Sequence, residues 1–238
     1  MALLLATAVA APLAGCESSQ QRSARLERDG ATLLTAEKGL DVSRQNRDVK
    51  AIESAVIQDE NGAAVVVVLR NRAPRPSGRV PIAVELRGAG GRSVYRNDAP
   101  GLDPSLVEAT GVPARGEEVW VNDQVTPSGR ARAVEVRVGL PKGAPPRKLP
   151  RMQPAPPRLA QDEITGVEAV GSIANRSDVE QRRLVVFCVA RRGGKLVAAG
   201  RAIVNRLAPG RRARYHVFFI GDPRGARLTV AAPPTVLE

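Results

Sequence analysis

Histidine and cysteine are almost missing from this chain, with one His and two Cys in 238 residues. That scarcity excludes a histidine-based zinc site, a C-x2-C…C-x2-C cluster and a disulfide-dense scaffold. Aromatic residues reach only 3%, so a core here depends on small branched side chains. No G-x-S-x-G nucleophile elbow is present, which removes the usual serine-hydrolase signature. Acidic residues thin out along the chain. Residues 17–139 hold 18 basic and 17 acidic side chains, whereas residues 140–238 hold 18 and 7. The formal charge of +12 therefore belongs almost wholly to the second half.

Residues 1–15 carry no charged side chain and lead directly into Cys16. An apolar run this short does not span a bilayer core, which needs about 20 residues, but it suits the h-region of an export signal. Leu13-Ala14-Gly15-Cys16 resembles a bacterial lipobox. The resemblance implies cleavage between Gly15 and Cys16, lipid attachment at the Cys16 thiol and a membrane-anchored, extracytoplasmic protein. Only Met1 precedes the apolar run, so the expectation is an upstream start or an n-region charge supplied by the amino group. Cys188 then has no intramolecular partner. It lies in the apolar run Leu184–Ala190 and reads as a buried structural thiol.

Residues 16–48 are polar and mixed in charge, and read as a tether. From 49 to 139 the apolar period is two. Val80, Ile82, Val84 and Leu86 alternate with Pro81, Ala83, Glu85 and Arg87, and Val134, Val136 and Val138 alternate likewise. Such alternation describes half-buried antiparallel strands. Ala63–Leu69 is continuously apolar and reads as a strand covered on both faces. Gly88-Ala89-Gly90-Gly91 is turn chemistry rather than a phosphate loop, because the G-x-G-x-x-G spacing fails at Ser93. Residues 140–159 carry seven prolines interleaved with five basic residues and read as a semi-rigid linker. Strand patterning resumes over 160–238.

The two halves look like copies. Arg70-Asn71-Arg72 parallels Ala174-Asn175-Arg176, Gly90-Gly91-Arg92 parallels Gly193-Gly194-Lys195, and the turn ending at Gly116 parallels the one ending at Gly210. The offset falls from 104 to 94, which places extra residues in the first copy around Asn97–Leu106. The predicted fold is all-β, two tandem immunoglobulin-like sandwiches of six or seven short strands each. Trp120 and Tyr215 occupy comparable strands and read as core anchors.

Gly171 to Ser177, the Gly193-Gly194-Lys195 turn and Leu207 to Gly210 resemble the FxLYD-type domains of bacterial surface proteins. Val189-Ala190-Arg191 stands where that pattern has Leu-Tyr-Asp, and Arg211 replaces its acid. The resemblance implies an immunoglobulin- or fibronectin-III-like fold and a surface location, and it transfers no catalytic residue.

Chemistry is sparse. His216 is the only imidazole and shares a face with Arg214. The adjacent acids Asp59-Glu60, Glu117-Glu118 and Asp162-Glu163 point to opposite faces of a strand and do not converge. A non-catalytic structural or protein-interaction role in the envelope is the first expectation, with no cofactor, no metal and no nucleic acid. The second expectation is binding of an anionic envelope ligand. Alternating strand directions place loop 175–183 beside loop 207–212, gathering Arg176, Arg182, Arg183, Arg211 and Arg212. Guanidiniums in that number attract phosphates or carboxylates. An enzyme subunit with a carboxylate site is the third.

Overall fold

The computed structural model describes residues 40–162 and 166–237. The expected export signal, with Gly15 and Cys16, and most of the expected tether lie outside the described residues. Among those described there is no α-helix. The first half contains β1 (Val49–Asp59), β2 (Gly62–Asn71), β3 (Val80–Arg87), β4 (Ser93–Arg96), β5 (Glu108–Ala109), β6 (Glu117–Val125) and β7 (Ala133–Val138). The second contains β8 (Met152–Pro154), β9 (Arg158–Asp162), β10 (Gly166–Asn175), β11 (Gln181–Arg192) and β12 (Lys195–Leu207). It ends with β13 (Arg212–Phe218), β14 (Ile220–Gly221) and β15 (Arg227–Ala231).

All pairing is antiparallel, and it repeats. In the first half β2 lies between β1 and β6, and β3 lies between β4 and β7. In the second, β10 lies between β9 and β13, and β11 lies between β12 and β15. Each half is thus one three-stranded sheet facing another, with β5, β8 and β14 as short additions. Trp120 pairs with Val67, and Tyr215 pairs with Gly171 at the same point of the second copy. Both aromatics are buried.

The four sheets stack in layers. Along β11, Leu184, Val186 and Cys188 pack with Ala169, Ile173, Tyr215 and Val217 of the second half. The alternate residues Val185, Phe187 and Val189 join the core of the first half. On β2, Val65 lies opposite Asn122, whose amide reaches the Tyr95 hydroxyl of β4, so Val65 and Val67 face that sheet. By alternation Val66 and Val68 face the other way, toward β12 and β14. The central runs of these two strands, Ala63–Leu69 and Leu184–Ala190, are therefore continuously apolar because both of their faces are covered.

The outermost faces are polar. On β3 the outward residues include Glu85 and Arg87, and Arg87 pairs with Glu85 and with Glu135 of β7. On β13 the outward residues are Arg212, Arg214, His216 and Phe218, while Tyr215 and Val217 are buried.

The end of the Pro-rich stretch is built into the fold. β8 and β9 both pair with β10, and the amide of Lys142 donates to the Arg79 carbonyl.

Candidate anion-binding surface

The contact between the halves decides which arginines stay available. Carboxylates of the first half accept hydrogen bonds from donors of the second. Glu53 receives both terminal nitrogens of Arg191, at 2.8 and 2.6 Å. Asp59 receives the Gly221 amide at 2.7 Å. Asp103 receives Arg183. Asp123 receives the side chain and the amide of Arg201, at 2.8 and 3.0 Å. Arg201 also donates to the Ser105 hydroxyl, and its side chain is only 5% exposed. Hydrogen bonding by Arg191 holds the Glu53 carboxyl below its ordinary range, against partial burial. Burial works against ionisation of Asp103, yet hydrogen bonds from Ser105 and Arg183 outweigh it and keep that carboxyl low.

Asp103 and Ser105 belong to the stretch around Asn97–Leu106 that the first copy has in excess. Its course is fixed by Asn97, 1% exposed. The Asn97 amide nitrogen donates to the carbonyls of Ile82 and Leu106, and its oxygen accepts the Val84 amide. A 3-10 turn, Pro104–Leu106, follows, capped by the Asp103 carboxylate on the Ser105 amide. The extra residues carry the acid and the hydroxyl that meet the second half.

Loops 175–183 and 207–212 do lie together. The Asn175 amide donates to the Arg211 carbonyl at 2.9 Å, and the Gly210 amide donates to the Asn175 carbonyl at 3.0 Å. The five arginines singled out from sequence are all exposed, but they divide by partner. Arg183 is engaged by Asp103. Arg182 faces Glu180, a carboxylate it shares with Arg206. Arg176 donates to the Gln153 side-chain oxygen at 2.8 Å, and Arg212 reaches only the Ser172 hydroxyl, at 3.4 Å. Among the described residues Arg176, Arg211 and Arg212 have no carboxylate partner.

A fourth cation joins them. The Arg176 amide donates to the Arg151 carbonyl at 2.8 Å, because β8 pairs with the end of β10. Arg151 is exposed, without a carboxylate partner among the described residues. Sequence placed it in the linker, since three residues of strand inside a proline-rich stretch give no readable periodicity.

Groups suited to catalysis are dispersed. His216 Nδ1 lies 3.1 Å from Glu168 Oε1 on the outer face of β13 and β10. Cys188 is buried among apolar side chains, and desolvation pushes its thiol up to about 12, so no thiolate is available near neutrality. Glu117 pairs with Arg70 in solvent, whereas Glu118 faces inward, and burial pushes it up to about 7. Asp162 and Glu163 have no described side chains. Among the described residues no three His, Cys, Asp or Glu side chains gather as a metal site would require.

No protein-family model matches the chain, and no curated protein sequence matches it.

Proposed function

We propose that this chain is a lipid-anchored envelope protein, attached through Cys16 at the extracytoplasmic face of the membrane, that works by binding rather than catalysis. Its two halves are read as immunoglobulin-like sandwiches, a reading supported by the repeated order of strand pairing. The FxLYD-type resemblance of the second half is part of the same proposal. The observation that carries the binding reading is the cluster of Arg151, Arg176, Arg211 and Arg212, four exposed guanidiniums without carboxylate partners among the described residues. Arg183, Arg191 and Arg201 of the second half are engaged by acids of the first, whereas the four of the cluster are left to an external partner. Its ligand is a polyanion of the envelope bearing phosphate or carboxylate groups, which guanidinium forks hold bidentately.

Cosedimentation with purified envelope material tests the proposal. Replacing the four arginines by Ser abolishes retention, and added salt weakens retention of the unmodified protein. Unchanged retention of the quadruple variant overturns the ligand assignment. For the anchor, Cys16→Ser abolishes incorporation of labelled palmitate, and continued labelling removes that part.

A structural role is the second reading. One apolar core is built from residues of both halves, which supports a stiff two-part element.

A further inference from the structure

A cavity of about 300 Å³ opens where the two halves meet. Its walls include Trp120, Val185, Phe187 and Ile203, with Pro104 on the extra segment and Pro233 near the end of the chain. The walls are fixed before anything enters. On one side Asp103 and Ser105 are held by Arg183 and Arg201. On another the chain end is held by Gln181, which is fully buried. Its side-chain oxygen accepts the amides of Thr235 and Val236, at 2.8 and 3.1 Å, and its nitrogen donates to the Val236 carbonyl. Trp120 is itself fully buried, with its indole nitrogen committed to the Ser105 carbonyl at 2.9 Å, so it backs the wall and leaves no polar group open to a guest. Ile203 is 38% exposed, which marks an apolar wall that the fold leaves open.

Charge at the cavity is unbalanced. Three guanidiniums (Arg79, Arg182 and Arg183) and two carboxylates (Asp103 and Glu108) line it. Asp103 is matched by Arg183, and Glu108 is matched by Arg79 at 2.9 Å and Lys142 at 3.2 Å. Arg182 contacts Glu180 through Nε alone, which leaves its two terminal nitrogens for a guest. Ligand sites concentrate at such junctions, preformed and apolar with a few placed polar groups.

We propose that this cavity binds a small amphipathic monocarboxylate, the apolar part against Ile203 in front of the buried Phe187 and Trp120, and the carboxylate on Arg182. The site is separate from the arginine cluster and does not depend on it. A cationic amphiphile would meet the same walls with the wrong charge.

The only tryptophan of the chain backs the cavity wall, so its emission responds to occupancy. Titration of the full chain with octanoate changes Trp120 emission saturably. Octylamine and octanol bind about tenfold more weakly or less, the worth of one charge-assisted contact. Arg182→Gln weakens octanoate about tenfold and leaves octanol unchanged. Ile203→Asp, at a partly exposed position, abolishes the response while the circular dichroism spectrum stays that of the unmodified protein. The quadruple arginine-to-serine variant binds octanoate normally. A non-saturating response, octylamine binding as tightly as octanoate, or an Arg182→Gln variant with unchanged octanoate affinity overturns the proposal.

Discussion

Asn71 and Asn175 close the same strand in the two halves with the same hydrogen bonds. The Asn71 amide nitrogen donates to the carbonyls of Arg75 and Val112, at 2.9 and 3.3 Å, and its oxygen accepts the Ala73 amide. The Asn175 nitrogen donates to the carbonyls of Val179 and Leu207, at 2.8 and 3.1 Å, and its oxygen accepts the Ser177 amide. Each backbone amide then reaches across, Asn71 to the Gly116 carbonyl and Asn175 to that of Arg211. Both residues are buried, at 1% and 0% exposure. One side chain satisfies a turn and a distant loop together.

Removing either amide orphans two carbonyls and one amide hydrogen in a buried place. Asn71→Ala and Asn175→Ala are each expected to destabilise the protein by about 3 kcal/mol. Because one core is built from residues of both halves, loosening one half loosens the other. Trp120 emission and far-ultraviolet circular dichroism should trace one coincident denaturant transition in either variant. Two separated transitions would show that the halves unfold independently.

Arg201 is almost wholly enclosed, and Asp123 is its counter-ion. Asp123→Ala leaves that guanidinium uncompensated and is expected to cost about 3–5 kcal/mol. Replacing both, as Asp123→Leu with Arg201→Met, should cost clearly less, because no charge is then left buried. Chemical denaturation of the single and double variants decides between these outcomes.

Glu118 makes stability depend on pH in an unusual direction. Burial penalises the charged form and pushes its carboxyl up to about 7 in the folded protein, from the ordinary 4.5. The folded state therefore holds this proton more tightly than the unfolded one. Stability is fullest below about 4.5 and falls as pH rises toward 7, by about 1–3 kcal/mol. Glu118→Gln should flatten this slope between pH 4.5 and 7. Glu53 and Asp103, whose pKa values are lowered, act in the opposite sense below that window, where protonation removes their stabilisation.

Cys188 should resist thiol reagents in the native state, given its complete burial and its raised pKa. In a Cys16→Ser background it is the only thiol. Disulfide-exchange labelling should then proceed only at the rate of opening, rising with denaturant in step with unfolding. Rapid labelling without denaturant would show that the β11 face is accessible.

What could be read in advance was local and repetitive. Strand alternation in Val80–Leu86 and the continuous run Ala63–Leu69 gave strands with the right number of covered faces. The segment Gly171–Ser177 has physical reasons for its residues. A Cβ on Gly171 would meet the Tyr215 ring, with Cζ 2.5 Å away, and Ser177 donates both its amide and its hydroxyl to the Asn175 oxygen. What covers a two-sided strand was not readable, because Val185, Phe187 and Val189 carry no mark of the sheet they meet. Nor did the sequence separate Arg183 from Arg211. Only the fold brings Asp103 to one of them, through a segment that the second copy lacks.

The two copies meet through unlike surfaces. The sheet holding β1, β2 and β6 in one touches the sheet holding β11 and β12 in the other. Contact of that kind has no built-in end, since each new member would offer the next the surface it needs. Here the surfaces left over carry Glu85, Arg87 and Glu135 on one side and Arg212, Arg214 and His216 on the other, so neither presents an apolar face to a further member. Duplicating either half again would not lengthen the column unless those positions were first made apolar.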